Sequence, residues 1–216
     1  MAKVKNTAPP VDDGAAITPI DKISAETLLI PIRGTAPLVV HRFSEKAKLE
    51  MLHATQGKKT PRQPKNPQAE YEAAFYRLKD GEPGFPFLAF KAAIVGGVRF
   101  YGKQITMTAL KQLAFFTGEP GADGHYYVRI FGEPQMREDV VRVGRGSDLR
   151  YRPQFTDWFA ILTVTYVSSM LTRGSLLSLV DAGGLGVGVG EWRPEKGGDF
   201  GTYEIDSTKK VEVIKR

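Results

Sequence analysis

The chain has 216 residues, 42% hydrophobic and 25% charged, which suits one domain with a sizeable core. It has no cysteine, which excludes disulfides and thiolate metal sites, and His41, His53 and His125 form no zinc motif, so neither metal nor cofactor is expected. A net charge of +6, from 30 Lys and Arg against 24 Asp and Glu, favours an anionic partner. Nucleic acid is preferred to a membrane: no apolar run approaches the roughly 20 residues of a span, and no basic amphipathic helix carries bulky anchors. No secretory signal pattern opens the chain, and a cytoplasmic protein is expected.

Residues 1–22 mix Pro9, Pro10, Asp12, Asp13 and Gly14 with few large apolar side chains and predict a flexible arm before a single domain over 23–208. Glu26–Arg33 (ETLLIPIR) predicts the first strand, with Pro31 marking an edge or a bulge. Leu38–His41 is a second extended piece. Ser44 can cap a helix over Glu45–Thr55, whose buried side would be Ala47, Met51, Leu52 and Ala54. Residues 57–67 (GKKTPRQPKNP) carry four positive charges and three prolines, so they form an exposed connection that either touches nucleic acid or is simply solvated. Asn66 before Pro67 opens the next helix. On it Tyr71, Ala74, Phe75 and Leu78 keep helical spacing and read as core, and Asp80-Gly81 closes it.

Phe85–Phe90 leads into a helix over Lys91–Phe100, where Gly96 and Gly97 imply a bend or the close approach of another backbone. A short helix is expected over Thr108–Phe116, and strands over His125–Phe131 and Asp139–Val143. Segment 142–152 (RVGRGSDLRYR) combines Arg142, Arg145, Arg150 and Arg152 with Tyr151. It offers charge for phosphates and a ring for base stacking, as a single strand requires, or it is a solvated hairpin. Trp158–Val167 is the strongest strand: both of its alternating faces are largely apolar, so it should be central and at least partly covered on both sides. Residues 209–216 form a tail or an edge strand.

The stretch Asp181–Ile205 (DAGGLGVGVGEWRPEKGGDFGTYEI) is the densest in glycine. Thr172 caps a preceding helix over Leu171–Ala182 that Gly183 would end, and Phe200–Ile205 alternates as a strand. A P-loop is rejected because no Gly-Lys-Ser/Thr follows, and a dinucleotide fingerprint because the spacing and the element order are wrong. Two readings remain. The loop either lies along a polyanion, with its backbone N–H groups and Arg193 toward phosphates, or is a turn whose small residues cross a neighbouring strand.

The order of strands and helices implies an α+β fold, a ferredoxin-like or RNA-recognition-motif-like antiparallel sheet with helices on one face and an inserted hairpin and loops. The segments ETLLIPIRGTAPLVVHRF, PFLAFKAAIVGGVRF and DAGGLGVGVGEWRPEKGGDFG resemble the RAMP superfamily, the modified RNA-recognition folds that form backbone and processing subunits of CRISPR effector complexes. Trp192-Arg193-Pro194 and the 57–67 stretch depart from that pattern and fit a stand-alone, compact member from a phage or mobile element as well as an effector subunit. The resemblance implies that Arg33, His41, Arg42, Lys91, Arg99 and the 184–193 loop, including Gly186, Gly188, Gly190, Trp192 and Arg193, face a bound strand. It also places 142–152 where the superfamily has a thumb that pushes between bases. Lys91 and Arg99, eight residues apart, can share one broad helix face.

The function so implied is sequence-tolerant binding of single-stranded RNA or DNA by a homo-oligomer or filament. Two alternatives stand beside it. One is a metal-independent endoribonuclease like the processing members of that superfamily, with His41 as the acid or base. The other is a structural assembly protein with a basic interface.

Overall fold

The computed structural model describes residues 22–58, 64–144 and 146–214. The expected N-terminal arm up to residue 21, residues 59–63 of the proline-rich connection, and Arg145 lie outside them. Strand β1 (Glu26–Gly34) and the short β2 (Leu38–Val39) are followed by helices α1 (Glu45–Thr55) and α2 (Pro67–Ala73). Strands β3 (Tyr76–Arg77) and β4 (Pro83–Pro86) lead into α3 (Phe87–Gly97), then α4 (Met107–Leu113), β5 (Ala114–Thr117), β6 (Glu119–Pro120) and β7 (Tyr126–Phe131). A hairpin of β8 (Pro134–Val143) and β9 (Gly146–Phe155) precedes the strand β10 (Phe159–Tyr166), helix α5 (Arg173–Gly186) and the short β11 (Tyr203–Ile205) and β12 (Glu212–Ile214). Helices α2, α4 and α5 each begin on a side-chain cap that satisfies a free backbone N–H. Asn66 Oδ1 accepts from Ala69 N–H, and Thr106 and Thr172 Oγ1 accept from Ala109 and Ser175 N–H, each at 3.1 Å.

The fold class is α+β with antiparallel pairing throughout the described strands. Among the described residues one sheet holds nine strands in the order β11-β1-β10-β7-β4-β3, with β12 beside β1, β5 beside β10 and β6 beside β7. A second, three-stranded sheet runs β2-β9-β8. β1 and β10 form the centre, paired from Glu26 opposite Tyr166 to Arg33 opposite Phe159. Leu28, Ile30 and Ile32 of β1 and Ala160, Leu162 and Val164 of β10 are fully buried on one face, under α3 and α5. Pro31 is therefore not at an edge. Its far neighbour changes there from β12, which pairs Thr27–Leu29, to β11, which pairs Ile32–Gly34, so the missing N–H falls in the gap between two short strands.

Three expectations are corrected and one is refined. The helix after Asn66 stops at Ala73, and Leu78 is buried from the β3–β4 turn instead. Thr108–Phe116 divides into α4 and the strand β5. β10 is central, fully covered on one face and partly on the other, where Phe159, Thr163 and Thr165 are half-buried, Phe159 stacks on Phe131 at 4.5 Å, and Ile161 alone is 45% exposed. In α1, Leu49, Met51 and Leu52 are each more than half exposed. At about 100° per residue, Leu49 and Met51 point to opposite sides, so the helix has no single apolar stripe to bury.

Candidate nucleic-acid interface

Helix α5 runs four residues further than its glycines suggested. Gly183 lies inside it, where a Cβ would stand 2.6 Å from the Ile94 Cα, and a Cβ on Gly97 would meet the Gly183 nitrogen at 2.7 Å. The helices α3 and α5 thus cross backbone against backbone, as the paired glycines in α3 implied. Gly188 ends α5: at φ +69 it donates its N–H back to the Gly183 carbonyl at 2.9 Å. The chain then passes under β2, where Glu191 N–H donates to Val39 O at 3.0 Å and a Cβ on Gly190 would lie 2.6 Å from that oxygen. Gly186 sits within α5 against the Phe100 ring. These glycines are explained by contacts within the chain itself.

The loop and α3 together shape two adjoining recesses. The smaller, about 190 Å³, lies between α3 and residues 187–190, with Tyr76 and Phe85 on its wall and His41, Glu191 and Arg193 among its polar groups. The larger, about 490 Å³, has a floor of Ala92, Val95 and Gly96, apolar walls of Leu88 and Met107, and a rim of Lys91, Arg99 and Lys111. Ala92 and Glu195 line both, which makes one groove along α3. Lys91 and Arg99 do share a face. The Lys91 ammonium donates to Lys111 O at 3.2 Å and lies 5.6 Å from the half-exposed Phe115 ring. Glu195 sits between two arginines, 2.9 Å from Arg193 and 3.8 Å from Arg99.

At the mouth of the smaller recess His41 Nδ1 stands 3.8 Å from Glu191 Oε1 and 3.5 Å from an Arg150 Nη. His41 beside it holds the Glu191 carboxyl below its ordinary value, so that it is ionised at neutral pH. Behind this pair is a charge network that the sequence did not reveal. The register places Arg137 opposite Arg152, a like-charge pair that would repel. Asp139 joins them, accepting from Arg137 Nε at 2.8 Å and Arg152 Nη2 at 2.7 Å, and Glu191 takes Arg152 Nη1 at 3.3 Å. Trp192 caps the network with both guanidinium groups over its ring, at 4.5 Å for Arg152 and 5.1 Å for Arg137.

The expected site residues therefore part company. The groove brings together His41, Lys91, Arg99, Gly188, Gly190 and Arg193, with Arg150 against His41. Arg152 is the chief departure: at 1% exposure its guanidinium anchors the hairpin to the glycine loop and is out of reach of a phosphate. Trp192 serves the same anchor. By register, Arg142 and Tyr151 occupy the opposite hairpin face from Arg150 and Arg152, so 142–152 is not one arginine–aromatic surface. Arg33 pairs with Glu204 at 2.6 Å and Arg42 with Asp123 at 3.2 Å, and neither lines a recess. Lys111, Tyr76 and Glu195 were missed, because only the fold brings them to α3; Glu191 lay within the expected loop, but its carboxylate was not singled out.

No protein-family model and no curated protein matches the chain. Among solved structures it is similar to the crystal structure of Cmr6 from Pyrococcus furiosus, at 10% identity and a TM-score of 0.44, over 86% of this chain and 100% of that one. No described helix is long and apolar enough to cross a membrane.

Proposed function

We propose that the protein binds single-stranded nucleic acid, RNA or DNA, along the groove beside α3, with little dependence on sequence. The observation that carries this reading is the larger recess, an apolar floor of Ala92, Val95 and Gly96 with Lys91, Arg99 and Lys111 around it. A single strand needs cations spaced for phosphates and an apolar surface for unstacked bases, and each cation that meets a phosphate releases counterions. The strand would be coated by several copies, and the exposed Leu49, Met51 and Leu52 of α1 are available to a neighbouring copy.

The test is an anisotropy titration with labelled oligouridylate, oligothymidylate and duplex DNA at several salt concentrations. The single strands should bind more tightly than the duplex. Lys91→Glu with Arg99→Glu should weaken both single strands and flatten the slope of log K against log salt by about 0.7 for each phosphate no longer neutralised. Equal binding by parent and double variant, with equal slopes, would remove the groove from the binding surface.

One observation favours a second reading, RNA cleavage without metal. With the His41 Nδ1 proton turned toward Glu191, Nε2 can take a proton from a ribose 2′-hydroxyl as that oxygen attacks the adjoining phosphate; the bond from phosphorus to the 5′-oxygen breaks, and that oxygen leaves with a proton from water, giving a 2′,3′-cyclic phosphate and a 5′-hydroxyl. Under the binding reading, RNA incubated with the parent in chelator stays intact. Cleavage that disappears in His41→Ala would establish the nuclease.

A further inference from the structure

The smaller recess is too small for a length of strand. Its volume of about 190 Å³ lies below the roughly 300–1,000 Å³ of sites that enclose whole drug-sized ligands. Its lining joins the rings of Tyr76 and Phe85 and the small Ala89 to residues 187–190, with the polar His41, Glu191, Arg193 and Glu195 among them. That combination suits a flat ring with polar edges. The Glu191 carboxylate stands at the rim with about four lone-pair sites, of which Arg152 takes one and His41 faces another. Two acceptor positions remain.

We infer that this recess receives one base of the bound strand and that the base is guanine. Guanine carries N1–H and an N2 amino group side by side on its Watson–Crick edge, two donors that match the two oxygens of a carboxylate. Adenine and cytosine each place an acceptor nitrogen beside their single amino group, and uracil flanks its one N–H with two carbonyls. An ionised carboxylate repels all three arrangements in part. The inference rests on the groove reading, because the strand reaches this recess from the larger one past Ala92 and Glu195. It adds a selected position to an otherwise tolerant contact.

The experiment compares oligouridylate with the same strand carrying one central guanine, adenine, cytosine or inosine. Guanine should tighten binding on the order of tenfold, as a bidentate base contact does. Inosine, which lacks the amino group, should return most of that gain, and adenine and cytosine should match uridine. Glu191→Gln should abolish the guanine gain, read as the ratio of guanine-strand to oligouridylate affinity within that same variant. Because Glu191 also holds Arg152, Ala89→Leu provides an independent check: it fills the recess from α3 while leaving the Glu191 and Arg152 side chains themselves unchanged, and should abolish the same gain. Equal affinity of the parent for all five strands would overturn the inference while leaving the groove intact. So would a guanine gain that survives in Ala89→Leu, or guanosine monophosphate binding as tightly as the strand. A parent that binds no strand would overturn the groove reading and this one with it.

Discussion

Trp192 sits at φ 51, a left-handed conformation that a bulky residue holds only when its surroundings impose it. Such a residue costs on the order of 1–3 kcal/mol; the buried Arg152 guanidinium over its ring offsets about 2 kcal/mol of this, and the partly exposed Arg137 about 0.5–1 kcal/mol. Trp192→Ala loses the ring and keeps the strain, whereas Trp192→Gly loses the ring and relieves it. Thermal unfolding should therefore rank parent above Trp192→Gly above Trp192→Ala; the reverse order for the two variants would mean that the backbone is not strained. Glu195 poses a different question. Its carboxylate neutralises Arg193 and Arg99 where a strand would run, so Glu195→Gln should bind oligouridylate more tightly and show a steeper salt dependence. Weaker binding would mean that Glu195 orients those arginines rather than masking them.

At the scale of elements, the hairpin and the glycine loop are one assembly, because Arg152 of β9 is buried between Asp139 of β8 and Glu191 of the loop. Gly188 both ends α5 and directs the chain into that assembly. Gly188→Ala forces a side chain to φ +69 with Pro194 Cδ 2.8 Å away, and should cost about 1 kcal/mol or more, lowering the melting temperature by several degrees. An unchanged melting temperature would contradict the role in folding. Local patterns exposed many elements in the sequence: the caps Asn66 and Thr172, the alternation of β1 and β10, and the glycines at the α3–α5 crossing, which already implied close backbones. The rest depended on distance. Whether Gly190 faces a ligand or Val39 O is decided by a strand some 150 residues earlier, which no local pattern contains. Arg152 looked like its neighbour Arg150 and shares its hairpin face; only the glycine loop, which lays Glu191 and Trp192 against Arg152, separates the one facing His41 from the one enclosed by carboxylates. On α3, by contrast, Lys91 and Arg99 were legible together because helical spacing alone sets their common face.

Across the whole molecule, several carboxyls are held below their ordinary values by a partner each: Lys48 beside Glu45, Arg129 beside Asp80, His41 beside Glu191, and the Thr208 hydroxyl on Asp206. Lowered values in the folded state mean that the unfolded chain binds protons more readily, so this stability is complete above the ordinary carboxyl range and is lost as pH falls through the lowered values. Denaturant midpoints should be level from pH 6 to pH 7 and fall below about pH 4; a midpoint that rises on acidification would refute the assignment. The pairing at the centre of the large sheet has a consequence for synthesis. Glu26 and Tyr166, joined by a 2.8 Å hydrogen bond, are 140 residues apart. At roughly 5–20 residues per second, a ribosome takes some 7–28 s to deliver β10 after β1. The β8–β9 hairpin can close during that interval from its own neighbouring residues, whereas β1, with its partners β10, β11 and β12 all still to come, must wait as an apolar nascent segment with both edges open. Translation that stops short of Tyr166 would release a chain with a finished hairpin and no sheet centre, a substrate for chaperones and proteases rather than a shorter working protein.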